Sequence, residues 1–112
     1  MSDQPPSEQP RVTLILSTFG DAAAAEACGR RLVADGLAAC VQVDGPIRSI
    51  YRWEGSVQAD AEFRLLIKTA PATAAACRAA LEQLHDYDLP EIVVLDAAAS
   101  AAYAAWVAVP LS

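Results

Sequence analysis

No segment of this 112-residue chain strings together the roughly 20 apolar residues that a membrane helix requires, and its start lacks the basic cluster and long apolar run of a secretory signal. A cytoplasmic protein that does not enter a membrane is expected. Positive charge is in short supply: eight Lys and Arg against fourteen Asp and Glu give a net charge of -6. Such a chain repels a phosphate backbone and offers no cationic stripe to follow it, so nucleic acid is not an expected partner. Cys28, Cys40 and Cys77 are an odd number at wide spacing with no Cys-x-x-Cys, which argues against a disulfide framework or a zinc knuckle. Gly-x-Ser-x-Gly, a P-loop and His-Glu-x-x-His are all missing, and a single histidine excludes any triad or metal site that needs two from one chain. No enzymatic activity is expected.

What is present is apolar material for one core, since 54% of the residues are hydrophobic. Residues 1–11 are expected to form a disordered tail, because their prolines and lack of an apolar run leave nothing to offset the entropy of ordering. A single domain then runs over residues 12–112. Val12 to Thr18 are β-branched or apolar on nearly every position and predict a strand. Asp21 is placed to cap a helix whose stripe of Ala25, Cys28, Gly29 and Leu32 faces the core, and Gly36 ends it in a left-handed cap. Leu37 to Val43 is a second strand, interrupted at Asp44-Gly45-Pro46 and resumed at Ile50 to Trp53, which predicts a bulge or bend. Glu54-Gly55 marks a turn into a third strand, where Val57, Ala59, Ala61, Phe63, Leu65 and Ile67 alternate with their neighbours. Pro71 is expected to open a second helix that buries Ala74, Cys77, Leu81 and Leu84. Glu91 to Leu95 is a fourth strand, and Ser100 caps a short last helix carrying Tyr103, Trp106 and Val107. The order βαββαβ plus a short C-terminal helix is that of an α+β, ferredoxin-like antiparallel sheet. Helices on one face leave Leu66, Tyr51 and Trp53 on a bare surface, which asks for a partner.

Five sequence words then carry a resemblance. Leu37-Ala38-Ala39-Cys40-Val41, Ser49-Ile50-Tyr51-Arg52-Trp53-Glu54-Gly55, Leu66-Ile67-Lys68-Thr69, His85-x-Tyr87-x-x-Pro90-Glu91-Ile92 and Tyr103-x-x-Trp106 resemble the CutA family in order and spacing. The resemblance implies a ferredoxin-like subunit in a tight homotrimer, with the long hairpin packing across subunits. It also implies an association with divalent-cation tolerance and with copper or other metals, an architecture shared with PII-type signalling proteins, and no settled enzymatic activity. The chain departs from the family at Asp86, where proline commonly follows the histidine, at Asp88 and at Gln42.

Candidate metal ligands are Cys40, His85, Asp86 and Glu91. His85 has Asp86, Asp88 and Glu91 within six residues, a mix of imidazole and carboxylate suited to a borderline divalent metal. The competing reading makes His85 a cap on the end of the second helix. Cys40 as thiolate is a soft ligand for copper(I), against which stands a packed core thiol; Cys28 and Cys77 are read as core. The resemblance places Tyr51, Trp53, Glu62, Lys68 and Tyr87 around clefts between subunits. Glu62 and Lys68 share a strand face and would either bind an anionic ligand or pair structurally, while Trp53 reads as an interface anchor. Three functions follow: a homotrimer that takes up copper or another divalent cation, none being required for folding; a PII-like sensor of a small ligand; and a structural trimer with no specific ligand.

Overall fold

The computed structural model describes residues 9–109. Strand β1 (Arg11–Phe19) is followed by helix α1 (Ala22–Ala34), the long strands β2 (Cys40–Trp53) and β3 (Ser56–Thr69), helix α2 (Ala74–Leu84), strand β4 (Val93–Ala98) and helix α3 (Ala101–Ala108). Most of the expected tail, residues 1–8, and residues 110–112 fall outside the described part. Arg11, placed in that tail by composition, is the first residue of β1, opposite Ala98 and ion-paired to Asp96.

The strands form one antiparallel sheet in the order β2-β3-β1-β4, so the fold is α+β with three helices. The uninterrupted apolar run of β1 suits its place between β3 and β4. Its register sets Ile15 against Ile67, Ser17 against Leu65 and Phe19 against Phe63. On that face Ala25, Cys28 and Leu32 of α1 and Cys77 and Leu81 of α2 close the core. Asp21 caps α1 as expected, its carboxylate accepting the Ala24 N–H at 2.8 Å, and Gly36 takes a φ of 72° just past the helix end.

Three boundaries differ from the sequence reading, each through backbone bonding. β2 begins at Cys40, not Leu37, because the N–H groups of Leu37 and Ala38 both turn back to the Leu32 carbonyl and close α1. α2 begins at Ala74, because Pro71 to Thr73 form a turn of their own in which Thr73 N–H bonds Ala70 O. β4 runs from Val93 to Ala98, since Ile92 turns onto the core instead of joining the β1 ladder.

The β2–β3 hairpin is the longest feature. Glu54 (φ 49°) and Gly55 (φ 81°) turn it with positive φ at both central residues, the geometry that matches strand twist. Pairing then runs from Trp53 opposite Ser56 inward to an irregularity between Asp44 and Ile47, where the expected bulge lies. From Ser56 to Ala61 every residue of β3 is exposed, whereas Leu65, Ile67 and Thr69 are buried. The outer half of the hairpin thus stands clear of the core, in a molecule 50 × 33 × 21 Å across its Cα atoms.

The alternate residues Leu14, Leu16, Leu66, Val93 and Leu95 lie side by side on the sheet face away from α1 and α2. α3, capped by Ser100 through the Tyr103 N–H at 3.2 Å, covers part of it by burying Val107. Val93 (42%) and Leu95 (46%) stay exposed. Among the described residues no helix is long and apolar enough to cross a membrane.

Candidate functional site

The end of β1 and the segment after α2 meet through His85. Its backbone N–H closes α2 on the Leu81 carbonyl at 3.0 Å, which puts it at the C-cap position, but its side chain, without exposed surface, turns to β1 and not to the helix carbonyls, so the expected charge complement to the helix end is not what holds it. The imidazole stacks on Phe19, with centroids 4.0 Å and planes 17° apart. Nε2 lies 2.8 Å from the Thr18 carbonyl, and the Tyr87 N–H lies 3.1 Å from Nδ1. A carbonyl only accepts and an amide N–H only donates, so this pairing holds a neutral ring with its proton on Nε2. Neither nitrogen keeps a lone pair for a metal. Asp86, exposed, comes within 3.6 Å of Nδ1.

The backbone bond to His85 also aims Tyr87, whose hydroxyl donates to Glu62 Oε2 at 3.0 Å. Burial pushes the Tyr87 phenol up to about 12, helped by that bond and the Glu62 charge. A second pair sits beside it. Tyr51 lies opposite Gln58 in the hairpin register, and its hydroxyl donates to the carboxylate of Asp60, the diagonal neighbour. That bond raises the Tyr51 phenol above its ordinary value. Two phenol–carboxylate pairs, Tyr51–Asp60 and Tyr87–Glu62, therefore share one face of the hairpin.

The other cleft residues are not drawn in within a subunit. Lys68 lies six positions along β3 from Glu62, roughly 20 Å at strand rise, with its ammonium 5.7 Å from the Tyr103 ring centroid. Trp53, 51% exposed, stands beside the hairpin turn, where Ser56 Oγ donates to its carbonyl at 3.3 Å.

The metal candidates stay apart as well. Cys40 is half-buried and directly opposite Lys68, while Glu91 is exposed beyond Pro90. Among the described residues no group of three or more His, Cys, Asp or Glu side chains could hold a metal ion. Cys28 and Cys77 belong to the core, as read from the sequence, and burial pushes both thiols up to about 11. Two surface depressions, one between α1 and β2 and one between α1 and α2, are not lined by Tyr51, Asp60, Glu62 or Tyr87.

Sequence reasoning missed Asp60, Phe19 and the Thr18 carbonyl. Asp60 was reachable by counting strand pairs outward from Glu54-Gly55. Phe19 and Thr18 carry no such local signal.

Comparison with known proteins agrees with this architecture. Residues 13–109 match the family model described as CutA1 divalent ion tolerance protein. The divalent-cation tolerance protein CutA of Pectobacterium atrosepticum is 38% identical over 95 residues, 85% of this chain and 84% of that protein. The crystal structure of CutA from Xylella fastidiosa matches with a TM-score of 0.81 at 38% identity, over 86% of this chain and 93% of that one. The structure of the periplasmic divalent cation tolerance protein CutA from Archaeoglobus fulgidus matches with a TM-score of 0.80 at 30% identity, over 86% and 94%. With sequence and fold agreeing over most of its length, this chain belongs to the CutA1 divalent ion tolerance protein family.

Proposed function

We propose that the chain serves divalent-cation tolerance as a homotrimeric binding protein, without catalysis, and that copper or another divalent cation is taken up between subunits. The observation that carries this reading is the sheet face of Leu14, Leu16, Leu66, Val93 and Leu95, which α3 covers only in part and whose exposed Val93 and Leu95 a neighbouring subunit would bury. A metal does not suit the residues of one subunit: His85 has both nitrogens engaged, and Cys40 faces a cation across the ladder. Cys40 lies at the start of β2, whereas Asp86 and Glu91 lie in the connection between α2 and β4, so contact between subunits is what would combine them.

The small-ligand alternative has less support. Lys68, the cation that the sequence reading set in that cleft, lies far along β3 from Glu62 and Tyr87. The cytoplasmic location expected from the sequence is retained as a proposal, although the Archaeoglobus relative is periplasmic by name.

Light scattering at low micromolar protein, followed by titration with copper and zinc, tests the reading. A trimer that binds metal, weakened by Cys40→Ser, Asp86→Asn or Glu91→Gln, is expected. A monomer rejects the assembly, and identical stoichiometry and affinity in all three variants reject these ligands. A trimer that binds neither metal, and gains no thermal stability from nucleotides or organic acids, would be structural only. Ligand at 100 times its Kd should add about 2.7 kcal/mol.

A further inference from the structure

We propose that the Asp44-Gly45 bond is where this chain converts aspartate to isoaspartate, and that the Asp44–Arg64 ion pair sets how slowly it does so.

The chain has no asparagine, so the ready route to isoaspartate through deamidation is closed. What remains is the aspartyl route, which is fastest where glycine follows, because no side chain shields the next amide nitrogen. Two such bonds occur, Asp35-Gly36 and Asp44-Gly45. In the reaction the glycine nitrogen attacks the side-chain carboxyl carbon of the aspartate and a C–N bond forms. One carboxyl oxygen leaves as water, taking the amide hydrogen and a proton from solvent. The succinimide so made takes water back at either carbonyl. Opening at one restores aspartate; opening at the other routes the main chain through the side-chain carbon and leaves the former backbone carboxyl free. Mass is unchanged, and water is the only co-reactant.

The fold treats the two bonds differently. At Asp35 both reacting groups are tied into the end of α1: the Gly36 N–H donates to the Val33 carbonyl at 3.0 Å, and the carboxylate accepts from Arg31 Nε at 2.7 Å. The glycine nitrogen cannot reach the carboxyl carbon without undoing that cap. Asp44 sits where the β2–β3 ladder breaks. It is paired with Arg64, pairing resumes at Ile47 opposite Glu62, and Gly45 and Pro46 have no partner on β3. What holds the Asp44 carboxylate is Arg64, whose Nε and Nη2 donate to its two oxygens at 3.3 and 2.9 Å. Both side chains stand in solvent, Arg64 at 47% and Asp44 at 55% exposure, and an ion pair so placed is weak and opens often. Each opening frees the carboxyl carbon for the Gly45 nitrogen.

The product carries one more carbon in its main chain, at a place with little room, since even a Cβ on Gly45 would stand 2.8 Å from Phe63 Cδ2. Conversion therefore shifts the rungs from Ile47–Glu62 outward against those on the other side of the break, and strains the bond between Glu62 and Tyr87.

The test incubates the full chain at neutral pH and physiological temperature. Isoaspartate is read by methyl transfer from labelled S-adenosylmethionine with an isoaspartyl methyltransferase, and assigned by peptide mapping as a retention shift at unchanged mass. Wild type should accumulate it in the Asp44 peptide and not in the Asp35 peptide, whereas chain unfolded in urea should convert at both. Arg64→Gln should speed conversion at Asp44 severalfold, with circular dichroism confirming the fold. Salt should speed it in wild type by screening the exposed pair, a readout that needs no variant. Asp44→Glu, which can close only a six-membered imide, should abolish the signal. Native conversion at Asp35 as fast as at Asp44 would overturn the assignment. So would no conversion at Asp44, in wild type or Arg64→Gln, over a period that converts the unfolded chain. A rate at Asp44 indifferent to both salt and Arg64→Gln would overturn the role of the ion pair.

Discussion

The imidazole of His85 lies parallel to the ring of Phe19, 4.0 Å away, with both of its nitrogens held by backbone groups of separate segments. His85→Ala removes a buried ring and leaves the Thr18 carbonyl and the Tyr87 N–H short of a partner. A loss of about 2 to 4 kcal/mol in unfolding free energy is expected. Denaturant unfolding at fixed protein concentration checks it, since the stability of an oligomer depends on protomer concentration. A change below about 0.5 kcal/mol in metal-free protein would mean that the ring is not a structural clamp.

Tyr87 links that clamp to the hairpin, and its phenol is raised from 10 to about 12. A raised phenol favours folding while it keeps its proton, so its contribution is complete below pH 10 and declines as pH rises through about 12. Wild type should therefore lose stability more steeply than Tyr87→Phe across that window. At neutral pH the phenylalanine variant should be weaker by about 1 kcal/mol, for the lost bond to Glu62. Circular dichroism unfolding curves at pH 9 to 12 separate the two cases, and parallel decline would count against the assignment.

Two hairpin glycines of positive φ should tolerate substitution very differently. At Gly45 (φ +146°) an added Cβ would stand 2.8 Å from Phe63 Cδ2 and 2.9 Å from the Glu62 carbonyl. At Gly55 (φ +81°) it would meet nothing within 4 Å. Gly45→Ala should cost about 3 kcal/mol, by clash as well as backbone strain, and Gly55→Ala about 1 kcal/mol by strain alone. Thermal unfolding of the pair decides, and equal costs would show that the bulge can relax around the extra carbon.

Local chemistry explains which parts of this structure could be read from sequence. Asp21, Gly36, Ser100 and the Glu54-Gly55 pair each act within a few residues of themselves, so caps and turns were legible. The alternation of β3 was legible for the same reason. Pro71 misled, because proline is at home both in a first helical turn and in a turn preceding the helix, and only the bond from Thr73 N–H to Ala70 O distinguishes them. The site was harder. Glu62 and Lys68 were rightly placed on one strand face, but a shared face says nothing of separation along it. Tyr51 and Asp60 meet diagonally across the ladder, which requires the register as well as the alternation. His85 is held by a carbonyl 67 residues earlier in the chain, and no pattern near His85 announces that contact.

The reversal at Glu54-Gly55 acts as the zero mark of a ruler. Every rung from Trp53 and Ser56 inward is numbered from it, and side chains switch sides at each step. One residue inserted there would rotate a whole strand by half a period relative to its mate. The arginines of β2 would then project beside the carboxylates of their own ribbon. The length of a two-residue loop thereby governs whether this ribbon presents opposite charge on its two sides or cancels it at home.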